Sequence, residues 1–96
     1  MTYELRFLPI ALKEWKKLNP EINKRFKSLL SRRLEMPHDE AHRLRGDLSD
    51  CYKIKLQSVG YRLVYQVNDI DKSLTVMAVG KRENSSVYVL AKKRKS

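Results

Sequence analysis

The chain's 96 residues suffice for one domain, spanning 1–96, and are too few for two. Hydrophobic residues make up 42%, and their periodic spacing argues for a modest folded core and against disorder throughout. Twenty-one Lys and Arg against 11 Asp and Glu leave a formal net charge of +10, which raises self-repulsion and points to a polyanionic partner: nucleic acid, an anionic membrane or an acidic protein.

The start, Met1-Thr2-Tyr3-Glu4, lacks the basic and apolar segments of a signal peptide. Thr2 to Leu8 alternates Tyr3, Leu5 and Phe7 against Glu4 and Arg6, which predicts a strand. Pro9 suits the first turn of a helix. Leu8, Ala11, Leu12, Trp15 and Leu18 then fall at helical spacing, with Lys13, Lys16 and Lys17 on the other face. Asn19-Pro20-Glu21 is a break and a restart: an N-cap, a first-turn proline, and a carboxylate for the positive end of the helix. The second helix places Ile22, Phe26, Leu29, Leu30 and Leu34 on one face. Lys24, Arg25, Lys27, Arg32 and Arg33 lie largely on the other, and Pro37 stops the helix at about Met36. The two form a helical hairpin.

Residues 37–50 read as a polar loop with a helical turn near Glu40 to Leu44, long enough to carry function. Its His38 and His42 read as surface residues. Cys51 to Gln57 alternates Tyr52, Ile54 and Leu56 against Lys53, Lys55 and Gln57. Cys51 is the one cysteine, so neither an intramolecular disulfide nor a Cys-based metal site is expected. A turn at Ser58-Val59-Gly60 leads to a second strand, Tyr61 to Val67, and a turn at 68–73 to a third, Leu74 to Val79, apolar on both faces and so the most buried. Short turns make these a meander. Ser85 is a candidate cap for a short final helix through Tyr88, Leu90 and Ala91, followed by a basic tail, Lys92 to Lys95. The order β-α-α-β-β-β plus a terminal helix predicts an α+β fold: a small antiparallel sheet with the helical hairpin on one face and the other face open. No stretch approaches the ~20 apolar residues of a membrane span, so a cytoplasmic protein without a membrane partner is expected.

The open face carries the chemistry. Lys53 and Lys55 are two apart on one strand and point to one side. Arg62 on the next strand should lie roughly 5–8 Å from one of them between β-carbons. Arg82 and Tyr88 follow nearby. A sheet gains no stability from such a crowd of like charges, whereas a phosphate-binding surface needs it. RNA is the expected substrate or partner.

The segment Leu44-Arg45-Gly46 … Asp50-Cys51-Tyr52-Lys53-Ile54-Lys55-Leu56 … Gly60-Tyr61-Arg62-Leu63-Val64-Tyr65-Gln66-Val67 resembles the RelE family of bacterial toxins. So do Val79-Gly80-Lys81-Arg82-Glu83 … Val87-Tyr88 and the early run Ala11-Leu12-Lys13-Glu14-Trp15-Lys16-Lys17-Leu18. Each motif is weak alone; their order and spacing across nearly the whole chain are specific. The resemblance implies the toxin of a type II toxin–antitoxin system, an mRNA interferase that cuts message in the ribosomal A site. It places the active-site positions on Lys53, Lys55, Arg62, Arg82 and Tyr88, all of the family's residue type, and a further basic, RNA-contacting position on Arg45. It implies a separate antitoxin chain, acidic where it covers this surface, and with it operator DNA. The other partner is the 70S ribosome with mRNA and 16S rRNA, against which Lys13, Lys16, Lys17, Lys24, Arg25 and Lys27 would dock.

RNA cleavage of this kind needs the substrate's own 2′-OH, a group to take its proton, donors for the anionic phosphorane and a proton for the leaving 5′-oxygen. No metal or cofactor is required. Neighbouring cations disfavour a further positive charge, which suits Lys53 or Lys55 to the role of base. Arg62 and Arg82 would serve as forked donors, with Tyr88 stacking on a base, orienting the phosphate or sharing in proton transfer. Such a site depends on the ribosome to position the message. Two alternatives stay open: a toxin of the ParE type, which shares the fold and inhibits DNA gyrase, and a non-catalytic RNA-binding module.

Overall fold

A computed structural model describes residues 2–81 and 86–95. In chain order the elements are β1 (Glu4–Phe7), α1 (Pro9–Lys16), α2 (Pro20–Glu35), β2 (Cys51–Leu56), β3 (Tyr61–Asn68), β4 (Ser73–Lys81) and α3 (Ser86–Arg94). The loop before β2 contains two short 3-10 turns, Glu40–His42 and Gly46–Leu48. Local chemistry sets the helix starts. Pro9 and Pro20 occupy first turns, and Asn19 Oδ1 accepts the Glu21 N–H at 2.8 Å. The candidate cap Ser85 lies outside the described residues.

The strand order is β1-β4-β3-β2. β2, β3 and β4 form the antiparallel meander that their short turns require, with Gly60 at φ 69° closing the β2–β3 turn, where a side chain would be strained. β1 lies parallel to β4, Leu5 opposite Leu74 and Phe7 opposite Val76. The sheet is therefore mixed, not purely antiparallel. The α1–α2 hairpin carries the chain back across the sheet before the meander begins, and the alternation in β1 encodes neither its remote partner nor its direction.

The main core lies between the α1–α2 hairpin and the sheet. Trp15, Phe26 and Leu30 pack with Ile54, Leu63, Tyr65, Leu74 and Val76. A second, smaller core occupies the opposite face: Val87 and Ala91 of α3 meet Cys51, Val64, Met77 and Ala78. β4 is apolar on both sides because each side has a cover. The face expected to stay open is thus partly covered by α3, which packs on β3 and β4. On that face Lys53, Lys55 and Arg62 stay half-buried.

Candidate active site

Three of the five expected catalytic residues come from the β2–β3 hairpin. In β2 the side chains of Tyr52, Ile54 and Leu56 enter the main core, so Lys53 and Lys55 project to the α3 side and remain half-buried. Arg62 stands directly opposite Lys55 in the ladder, and Lys53 stands opposite Val64, one diagonal step from Arg62. Directly opposed β-carbons are about 5 Å apart and diagonal ones roughly 7–8 Å. Arg62 is flanked on its other side by Gly80 of β4.

Tyr88 reaches this group from α3. Arg62 Nη1 donates to the Tyr88 hydroxyl at 2.9 Å, and the guanidinium carbon sits 5.7 Å from the centre of the Tyr88 ring. Lys55, Arg62 and Tyr88 thus form one chain of neighbours across β2, β3 and α3. Arg82, the fifth expected residue, lies outside the described residues.

The position of Tyr88 depends on how α3 is held. Val87 and Ala91 anchor it by burial. At its far end Arg94, 12% exposed, clasps Glu14 of α1 with two bonds of 2.8 and 3.1 Å and donates to the Met77 carbonyl at 3.0 Å. Lys95 adds an ion pair to Asp50 at 2.8 Å. Burial works against the charge on Asp50, but hydrogen bonds from Lys95 and Gln66 hold its carboxyl below the usual range. These contacts went unread in the sequence. In the sequence Glu14 enters only within the family-like run 11–18, and Arg94 and Lys95 only within the basic tail.

The remaining expected RNA contacts are dispersed. Arg45 is exposed in the segment that joins β2, beside Leu44, whose N–H bonds the Cys51 carbonyl. Lys13, Lys16, Lys17, Lys24 and Lys27 are exposed on the helical hairpin, across the sheet from Lys53 and Lys55. Arg25 is nearer: its Nη1 donates to Ser58 Oγ, in the β2–β3 turn, at 3.3 Å. Arg33 departs from the outward-facing reading. Its side chain is 13% exposed and turns inward, donating to the Tyr65 hydroxyl at 2.8 Å and the Lys53 carbonyl at 3.3 Å while pairing with Asp39. A long guanidinium can cross from the edge of a helix into a polar gap that a face count does not show.

Other groups are structural. Cys51 is fully buried, and burial, with the adjacent Asp50 charge, pushes its thiol up to about 12. It is therefore no thiolate nucleophile at neutral pH. His38, expected on the surface, is 45% exposed, yet Nδ1 lies 2.7 Å from the Tyr52 hydroxyl and Nε2 lies 2.8 Å from Asp69. It ties the loop after α2 to the sheet. Among the described residues no group of three or more His, Cys, Asp or Glu could hold a metal ion, and no helix is long and apolar enough to cross a membrane.

Residues 5–85 match the family described as the ParE toxin of the type II toxin–antitoxin system parDE. The chain is 53% identical over 94 residues to the mRNA interferase toxin RelE of Escherichia coli strain K12, with 98% of each chain covered. It superposes on a free variant of E. coli toxin RelE with a TM-score of 0.91 and 51% identity over the whole of both chains. Against the toxin of the intact E. coli RelBE toxin–antitoxin complex the TM-score is 0.81, with 51% identity over 85% of this chain and 99% of that one.

Proposed function

The chain belongs to the RelE branch of the type II toxin–antitoxin toxins, and from that premise we propose that it is a ribosome-dependent mRNA endoribonuclease, neutralised by a cognate antitoxin. The carrying observation is the placement of Lys55, Arg62 and Tyr88 as contiguous neighbours on one face. The reaction is transesterification. The 2′-oxygen attacks the adjacent phosphorus and loses its proton, the bond to the 5′-oxygen breaks, and that oxygen takes up a proton; the products are a 2′,3′-cyclic phosphate and a 5′-hydroxyl.

In this reading Lys53 or Lys55 receives the 2′-proton. Arg62, with Arg82, offers forked N–H donors to the phosphorane oxygens. Tyr88, oriented by its hydrogen bond from Arg62, holds the base or the phosphate. The ribosome supplies the strand conformation that brings the 2′-oxygen into line, and the lysines of α1 and α2 meet 16S rRNA. The antitoxin, acidic towards this surface, would also bring the pair to operator DNA.

The test is primer extension on a message under translation in vitro. Wild-type protein should give new 5′ ends inside codons, and Arg62→Ala and Arg82→Ala should give almost none. The family match to a ParE toxin favours one second reading, inhibition of DNA gyrase. Pulse labelling separates the two: ribonuclease action stops protein synthesis within minutes, while gyrase inhibition stops DNA synthesis and induces the SOS response.

A further inference from the structure

A groove on the free edge of β2, facing α2, shares only Lys55 with the residues placed in the reaction above. β2 ends the sheet. Between it and α2 lie two adjoining cavities of about 350 Å3 each, one bordered by Arg25, Ser28 and Ser58, the other by Arg33, His42 and Ile54. Leu29, Lys55 and Gln57 border both.

The lining contains no Asp or Glu, although the chain has 11 acidic residues. Its two ends differ. Arg33 and His42 already face Asp39, at 3.2 and 3.0 Å, so the charge there is largely balanced. Arg25, among the described residues, forms no ion pair and one side-chain hydrogen bond, to Ser58. A guanidinium has five donors, so most of its capacity faces the groove or solvent. The guanidinium without an ion pair therefore sits at the Arg25 end. Lys55 borders the groove at the sheet edge and stands opposite Arg62 in the ladder, so the edge strand links the groove to the face assigned to the scissile phosphate.

We infer that this groove receives the single-stranded message on one side of the cleaved bond, with a phosphate on Arg25 and a base laid over Leu29, its edge read by the Gln57 amide. The inference rests on the ribonuclease reading and extends it to the flanking nucleotides. The groove suits RNA better than a protein helix. Helix-binding grooves are predominantly apolar, whereas this one offers Ser28, Gln57 and Ser58 as neutral hydrogen-bonding groups beside Arg25, Arg33 and Lys55. Such groups match phosphate oxygens and base edges of unpaired RNA.

The experiment uses full-length protein on ribosomes programmed with a message carrying one 4-thiouridine, on either the 5′ or the 3′ side of the cleaved bond. A 2′-deoxy sugar at that bond prevents cleavage. After irradiation, the cross-linked peptides are mapped. The groove predicts cross-links to residues 25–29 or 54–58 from one flank, falling at least five-fold with Arg25→Ala and with Gln57→Ala. Cross-links confined to other segments, or none from either flank, overturn it. The parent reading is checked separately with the unmodified message. If wild-type protein fails to cut it, the ribonuclease assignment falls; if it cuts and the groove stays silent, only the groove assignment falls.

Discussion

Arg62 is the residue on which most converges: it faces Lys55 across the ladder and bonds the Tyr88 hydroxyl. Removing a donor aimed at developing charge typically costs about 10²–10³ in rate, so Arg62→Ala should slow single-turnover cleavage by that much. Arg62→Lys should recover little, because an ammonium cannot present the same planar fork. Tyr88→Phe keeps the ring over the guanidinium and loses the hydroxyl. It should cost less than Tyr88→Ala, and single-turnover rates of the pair check this. Cys51 provides a structural control. With its thiol buried and pushed up to about 12, it should stay unmodified by a thiol reagent at pH 7.5 until the protein is unfolded. Rapid labelling of the native protein would contradict the burial of β2.

At the scale of elements, α3 decides whether the site is assembled. Its buried side chains are small, so the Arg94–Glu14 clasp and the Lys95–Asp50 pair matter more than they would on a long helix. Arg94→Ala leaves Glu14 without its partner and should lower stability by about 2 kcal/mol, measured by urea unfolding, a typical cost for a charged hydrogen-bonded group left largely buried. It should also weaken the contact of Tyr88 with Arg62. Acid should act in the same direction. Asp50 is held below its unfolded value, so its contribution is present above the unfolded carboxylate range and is lost as pH falls through the depressed folded value. Fluorescence from a probe on α3 should report loosening in that acid window and no comparable change between pH 6 and 8. This element was the least legible in the sequence. Tyr88, Leu90 and Ala91 marked it as a helix, but nothing in nine residues said which face of the sheet it would cover. The helical hairpin was legible because its apolar positions keep a 3.6-residue period and its start is fixed by Asn19, Pro20 and Glu21. Phe26 is fully buried there, and Phe26→Ala should cost about 3–5 kcal/mol.

For the whole molecule, the formal net charge of +10 is distributed over both faces of the sheet. The hairpin lysines lie on one side and the strand cations on the other. Binding to ribosomes should therefore weaken steeply with salt, the apparent slope dropping by about one for each phosphate contact removed. Strand alternation alone put Lys53, Lys55 and Arg62 together, because a period of two and a short turn leave few registers. The parallel pairing of β1 with β4 and the inward turn of Arg33 stayed hidden, since both depend on contacts far apart in the chain. On this reading Lys55 and Arg62 act together on one reacting phosphate. A double-mutant cycle of Lys55→Ala and Arg62→Ala, read as single-turnover cleavage of ribosome-bound message, tests it most directly. If the two side chains serve the same reacting group, the double variant is about as slow as the slower single variant; losses that simply multiply, or an Arg62→Ala variant that cuts at the wild-type rate, would overturn this.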